Sequence, residues 1–186
     1  MFKKRLENSK IEEYAVILDF LPLGDPSKNL REPTAYAIGE YYFTLLLLTL
    51  KQGTKVEYLE EVYIGSSKRE KVKSIIKRLK YEELTLLAKE NLENAIMKIL
   101  EKYESKFVEF FNKAGPINVR LHSLELIPGI GKAVLDRILE EREREPFKSY
   151  NDIENRVKGL KNIKKILAQR IIKEISGEEK IKLFTA

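Results

Sequence analysis

The first sixty-odd positions alternate short apolar runs with turn residues. Tyr14–Leu21 is a nearly unbroken apolar run of strand length, closed by Pro22, Gly24, Asp25, Pro26, Ser27 and Asn29. Ala35–Glu40 reads as a second strand, with a bulge or turn at Gly39-Glu40. Tyr41–Leu50 reads as a third, too apolar to keep a wet face along its length. After a turn at Gln52-Gly53, Val56, Tyr58, Val62 and Tyr63 mark a further strand over Val56–Ile64. Four or five strands joined by turns predict a small barrel or an open antiparallel sheet over residues 1–66.

Beyond residue 66 the period changes to three and four. Ser67-Lys68-Arg69-Glu70 fits a capping box, and Val72, Ile75, Ile76 and Leu79 fall on one face of a short helix after it. A longer helix follows Tyr81-Glu82-Glu83, with its apolar stripe running from Leu84 to Phe110 and its end at Gly115-Pro116. Residues 67–116 thus read as connecting helices that link two halves of the chain. From about Ile117 the pattern stays helical. Leu121, Leu124 and Ile127 precede a break, and Val134, Leu135, Ile138 and Leu139 follow it. Pro146–Ile153 is a connector with Ser149 as N-cap and Phe147 as a core anchor, and a second helix pair surrounds Val157–Asn162. The class expected is α+β: a small antiparallel β-barrel, connecting helices, and an all-α domain over 117–186.

The break itself, Leu126-Ile127-Pro128-Gly129-Ile130-Gly131-Lys132, carries the chemistry and reads as the hairpin of a helix-hairpin-helix. Pro128 ends the first helix and biases Ile127 away from helical dihedrals. Gly129 and Gly131 can take positive φ and leave no Cβ between backbone and ligand. A helix beginning near Gly131 presents unpartnered N–H groups with its dipole behind them, an anion site made of main chain. Lys132 adds a mobile charge there, and Ile130 is expected to turn into the core. The amides of Gly129, Ile130, Gly131 and Lys132 are the expected phosphate contacts.

Val157-Lys158-Gly159-Leu160-Lys161-Asn162 repeats the hairpin in degraded form. Lys158 stands in place of the proline and Lys161 in place of the second glycine, so charge would have to offset poorer backbone approach. From Arg156 to Lys173 there are seven basic residues and no acidic one, and Lys158, Gly159, Lys161, Lys164 and Lys165 join the expected binding set. A second basic cluster spans Lys68–Lys80. Of the aromatics on the strands (Tyr36, Tyr41, Tyr42, Phe43, Tyr58, Tyr63) some could stack bases as barrels of the OB type do; core or cross-strand pairing is the preferred reading.

Composition narrows the field. The formal net charge is +6, and it is spread unevenly: −2 over residues 1–66, +4 over 67–116 and +4 over 117–186. Such a balance favours a polyanionic partner. There is no cysteine and one histidine, which leaves no thiolate zinc site and argues against any metal centre or cofactor. Lys3, Lys4, Arg5 and Glu7 occupy the place of a secretory apolar segment, and the longest apolar run is half what a membrane span needs, so a cytoplasmic chain is expected. A high Lys, Glu and Ile content with glutamine only at 52 and 169 resembles thermophilic compositions.

No catalytic constellation is apparent. Asp136 lies just past the hairpin and Asp152 in the connector, neither placed like the aspartate of the glycosylases that share this motif. Glu140, Glu141, Glu143 and Glu145 read as surface charges paired with Arg142 and Arg144. Asp19, Glu40, Glu57 and Glu60 form no nuclease-like cluster, and His122 fits a cap or packing role. No enzyme is expected.

The runs Phe107–Ala114, Arg120–Lys132 and Pro146–Ser149 resemble an archaeal uncharacterised conserved family, domain of unknown function 655. The resemblance covers nearly the whole chain. It implies an OB-like N-terminal part, a C-terminal tandem helix-hairpin-helix part, archaeal origin and binding of RNA or DNA. Likeness to the tandem helix-hairpin-helix domains of bacterial DNA-uptake and repair proteins further implies a pseudo-two-fold arrangement with both hairpins on one side. The function expected is non-enzymatic, largely sequence-independent nucleic-acid binding. The alternative is a protein-interaction or assembly module that uses the helical domain; the sequence does not choose between RNA and DNA or fix an oligomeric state.

Overall fold

The computed structural model describes residues 10–186, so the N-terminal charges at Lys3, Lys4, Arg5 and Glu7 lie outside the described residues. The fold is α+β: a curled five-stranded antiparallel half-barrel and five helices, with a small two-stranded sheet between the second and third helices. The described residues divide into two compact units, one made of residues 10–95 with 174–186 and the other of residues 96–173.

In the first unit, β1 (Tyr14–Leu21), β2 (Thr34–Gly39), β3 (Leu45–Leu50), β4 (Glu61–Tyr63) and β5 (Val72–Arg78) pair in the order β4-β1-β2-β3-β5. All four pairings are antiparallel. β2 and β3 are buried at every position, as their largely apolar sequences favour, with Thr34 and Thr49 buried among them. One face packs Ile17, Ala35, Ala37, Leu46, Leu48 and Val72 into a core with Val56 and Ile64. On α1 (Leu86–Lys102), Asn91 donates to the Leu18 carbonyl at 2.8 Å, and Thr85 just before it donates to Asp19 at 2.6 Å.

Three expectations change here. The helix expected over Ser67–Leu79 is strand β5 instead, and the Ser67 amide donates to the Tyr63 hydroxyl, with no capping box. The strand has two bulges. Ile75 faces Leu48 while Lys77 faces Leu47, which leaves Ile76 as an extra residue, and Lys73 is extra between Val72 and Ser74. Two insertions into a period of two mimic a period of three and four. The strand expected over Tyr41–Leu50 begins only at Leu45. The buried Glu12 carboxylate accepts from the amides of Tyr41 and Tyr42 at 2.8 Å and of Thr44 at 3.2 Å, holding residues 40–44 in a turn. Of Val56–Ile64, only Glu61–Tyr63 pairs as strand.

The long helix is two, α1 and α2 (Glu104–Lys113), broken at Tyr103, and the boundary between the units falls within α1. In the second unit, residues expected to be helical from Ile117 form a two-stranded hairpin, β6 (Pro116–Asn118) and β7 (Leu121–His122), followed by one 3₁₀ turn, Ser123–Leu126. Then come α3 (Lys132–Arg144), α4 (Tyr150–Arg156) and α5 (Ile163–Ile175). Ser149 caps α4, accepting from the Asp152 amide at 3.0 Å. Phe147 is buried as expected, its backbone clamped at both amide and carbonyl by the Asn112 side chain.

Candidate functional site

Two turns of the same form stand at the starts of α3 and α5. In the first, the Ile130 amide donates to the Ile127 carbonyl at 3.1 Å, with Pro128 second and Gly129 third at φ +84°. In the other, the Leu160 amide donates to Val157 at 3.2 Å, with Lys158 second and Gly159 third at φ +93°. These are the marks of a type II turn, whose third position favours glycine. The flanking apolar pairs, Ile127 with Ile130 and Val157 with Leu160, are all buried and tie each turn to the core. The two turns lie near each other: Arg137 of α3 donates to the Lys158 carbonyl at 2.8 Å, and a Cβ at Gly159 would meet Val134 of α3 at 3.6 Å.

The chemistry of the two turns differs. At the first, Gly131 is the N-cap of α3 with no side-chain cap, and the first α3 amide to find a carbonyl is Leu135, bonded to Gly131. The amides of Gly131, Lys132, Ala133 and Val134 meet no acceptor among the described residues. Gly129, Gly131 and Lys132 are exposed. Gly131 has an ordinary backbone (φ −87°, ψ −177°), and nothing lies within 4 Å of where a Cβ would stand. Neither conformation nor packing requires glycine at that position. Ile130 behaves otherwise: it is buried as expected, but its amide is spent on Ile127, which removes it from the set of open donors. The open donors that take its place, Ala133 and Val134, follow from helix geometry alone.

At the second turn a carboxylate of the chain itself occupies the helix start. The Ile163 amide, first in α5, donates to the Glu154 carboxylate at 2.8 Å, and Asn162 before it sits at φ +55°. Lys158, Gly159, Lys161 and Lys165 are exposed and Lys164 half-buried, so they surround this turn as charges. Two members of the basic run point elsewhere. Arg156 donates to the Glu141 carbonyl at 2.5 Å and the Glu145 carbonyl at 2.7 Å, pairs with Asp152, and stacks on the Phe147 ring. Arg170 is buried and donates to the Leu126 carbonyl. Arg142 likewise leaves the expected surface pairs and donates to the carbonyls of Phe111 and Ala114; Arg144 does pair with Glu140 and Glu141.

His122 caps the 3₁₀ turn. Its Nδ1 accepts from the Leu124 amide at 3.1 Å, and Glu125 accepts from the His122 amide at 2.8 Å. Burial and the nearby Arg142 guanidinium push the imidazole below its ordinary pKa, against the opposing pull of Glu125. Asp152 is occupied by the Lys148 amide and Arg156, which depress its carboxyl despite some desolvation. Among the described residues no cluster of His, Asp and Glu has the geometry to hold a metal ion.

A feature that sequence reading missed adjoins the first turn. The β6–β7 hairpin puts Arg120 and the fully exposed Val119 at its tip, and a groove of about 300 Å³ beside them is also lined by Lys132 and Asp136. The signal was the β-branched alternation of Ile117 and Val119 ahead of the helix start.

Comparison with known proteins gives relatives and no activity. The chain is 42% identical over 183 residues to the uncharacterized protein MJ0038 of Methanocaldococcus jannaschii, covering 98% of this chain and 83% of that protein. It is similar in structure to Af1531 from Archaeoglobus fulgidus, with a TM-score of 0.87 and 44% identity over 94% of this chain and all of that one. The family model for a protein of unknown function, DUF655, matches residues 11–186, and the chain belongs to that family.

Proposed function

We propose that this protein binds nucleic acid without processing it, holding a backbone phosphate on the amides at the start of α3. The observation that carries this reading is Gly131, a glycine the fold does not need, exposed beside four open amides and Lys132. Loss of its side chain benefits only something approaching from outside. In this reading the two turns and their helices are a tandem helix-hairpin-helix. The hook of the first turn takes one strand, and Lys158, Lys161, Lys164 and Lys165 supply screening-sensitive charge at the second. The half-barrel is taken as an open relative of the OB type. Among its tyrosines Tyr36 is buried and Tyr63 packs edge-to-face on Tyr14, which takes both out of base reading, while Tyr41 and Tyr58 are exposed.

The test is fluorescence anisotropy with RNA and DNA, duplex and single-stranded, across a salt series. Affinity for a duplex is expected to fall with a log–log slope of about −0.9 per phosphate neutralised. Gly131→Val is expected to weaken binding more than Lys132→Ala. Equal affinities for the parent chain and Gly131→Val, at unchanged melting temperature, refute the hook.

A further inference from the structure

We propose that the open seam of the half-barrel, between β4 and β5, docks an extended acidic segment of a partner protein as an added strand on β5. The sheet order leaves β5 paired on one side only among the described residues. Beside its other edge runs a groove of about 410 Å³ floored by Leu46, Ile64, Ile75 and Ile76. Ile75 and Ile76 are 39% and 44% exposed, and Ile76 is the bulged residue, turned out of the regular alternation. An unpaired edge flanked by aliphatic side chains is what strand addition uses: main chain for affinity, alternate side chains for selection.

Charge identifies the occupant. Lys71, Lys73 and Lys77 are already paired with Glu60, Glu32 and Glu83. The two guanidinia on the groove are not. Arg69 donates to the Gly65 carbonyl at 2.9 Å and Arg78 to the Lys10 carbonyl at 2.7 Å, and neither meets a carboxylate among the described residues. Glu12, the acid on the groove wall, is engaged by the amides of Tyr41, Tyr42 and Thr44. Carboxylates on the incoming strand would therefore meet two uncompensated cations. Single-stranded nucleic acid fits less well, because among the described residues no aromatic ring lines the groove to stack a base. A second copy of β5 would bring its own cations against these.

The experiment titrates the full chain with a short capped peptide of alternating glutamate and valine, read by anisotropy and by amide exchange at Ile75–Arg78. Binding with slowed exchange at these amides is expected, together with loss on N-methylation of the peptide backbone. Ile76→Glu and, separately, Arg69→Ala are each expected to weaken it by about tenfold or more. Both side chains are partly exposed, so either variant can stand if the other fails to fold. Absence of binding at millimolar peptide, equal binding of the N-methylated peptide, or protection of Ile75–Arg78 by oligonucleotide in preference to peptide overturns the proposal. Gly131→Val is expected to leave peptide binding intact, which separates this surface from the phosphate hook.

Discussion

The Glu154 carboxylate accepts the Ile163 amide at 2.8 Å, so the start of α5 holds an internal anion where, among the described residues, the start of α3 holds none. The second turn thus has the shape of the first, with a carboxylate on the first amide of its helix. Replacing Glu154 by Gln removes the charge that would repel a phosphate. Affinity for duplex nucleic acid is expected to rise, and the salt slope to steepen by up to about 0.9 as one more phosphate is engaged. Thermal stability is expected to drop modestly, by about 0.3–1 kcal/mol, as a favourable charge at the helix start is lost. An affinity unchanged or lowered for Glu154→Gln would mean that the second turn never meets phosphate.

Gly131 admits a sharper substitution than valine. Aspartate at this N-cap is expected to accept from the amides of the first α3 turn and stabilise the chain, by about 0.5–2 kcal/mol on ordinary capping values. Its carboxylate would stand where the phosphate should. Gly131→Asp is therefore expected to melt higher and bind worse, a pairing that damage to the fold cannot produce. Gly129→Ala provides the contrast. At φ +84° a side chain costs about 1–2 kcal/mol, so it is expected to melt lower.

His122 gives the second unit a pH dependence of known sign. Its folded pKa is depressed, so the folded state binds fewer protons than the unfolded one near neutrality. Its contribution is fully present above the unfolded value of about 6.5 and is lost as pH falls through the folded value. Protonation also removes Nδ1 as acceptor for Leu124. The melting midpoint of the parent chain is expected to fall between pH 8 and pH 5 by more than that of His122→Asn, which keeps a capping side chain without the titration. Parallel curves for the two would assign the pH dependence to other groups.

Gly39 and Glu12 are coupled by contact. A Cβ built on Gly39 would stand 2.1 Å from Glu12 Cδ, so Gly39→Ala is expected to displace the carboxylate from the Tyr41, Tyr42 and Thr44 amides. Glu12→Ala removes the same acceptor and leaves those amides wanting, at a cost of about 1–3 kcal/mol. The double variant is expected to lose far less than the sum of the singles, as read from urea denaturation of all four chains. Additive losses would place the two residues in independent roles.

Much of the molecule is legible because side chains announce it. The leucine-rich end of the strand expected over Tyr41–Leu50 is a buried strand, and Ser149 and Phe147 take the positions their chemistry favours. The turn between Ile127 and Ile130 was legible because Pro128 and Gly129 occupy the two places a type II turn assigns them. What misled was bulging and long-range contact. β5 hides its period of two behind Lys73 and Ile76, and the turn at residues 40–44 looks like strand unless Glu12 is known to reach it. Likewise Glu154 gives no sign in the sequence that it fills the second turn, and Arg142, Arg156 and Arg170 do not reveal that they point inward. Charge counting treats every basic residue as available, whereas packing decides which ones are.

The clamp of Glu12 on residues 41, 42 and 44 has a consequence for the order of folding. A hairpin between adjacent strands ordinarily forms early because its contacts are local. Here the turn between β2 and β3 is closed by a group 29 positions upstream of Tyr41, so its last hydrogen bonds wait on β1 taking its place beside β2. During synthesis that group leaves the ribosome before the turn it will hold, and the chain can complete the clamp as soon as the turn emerges.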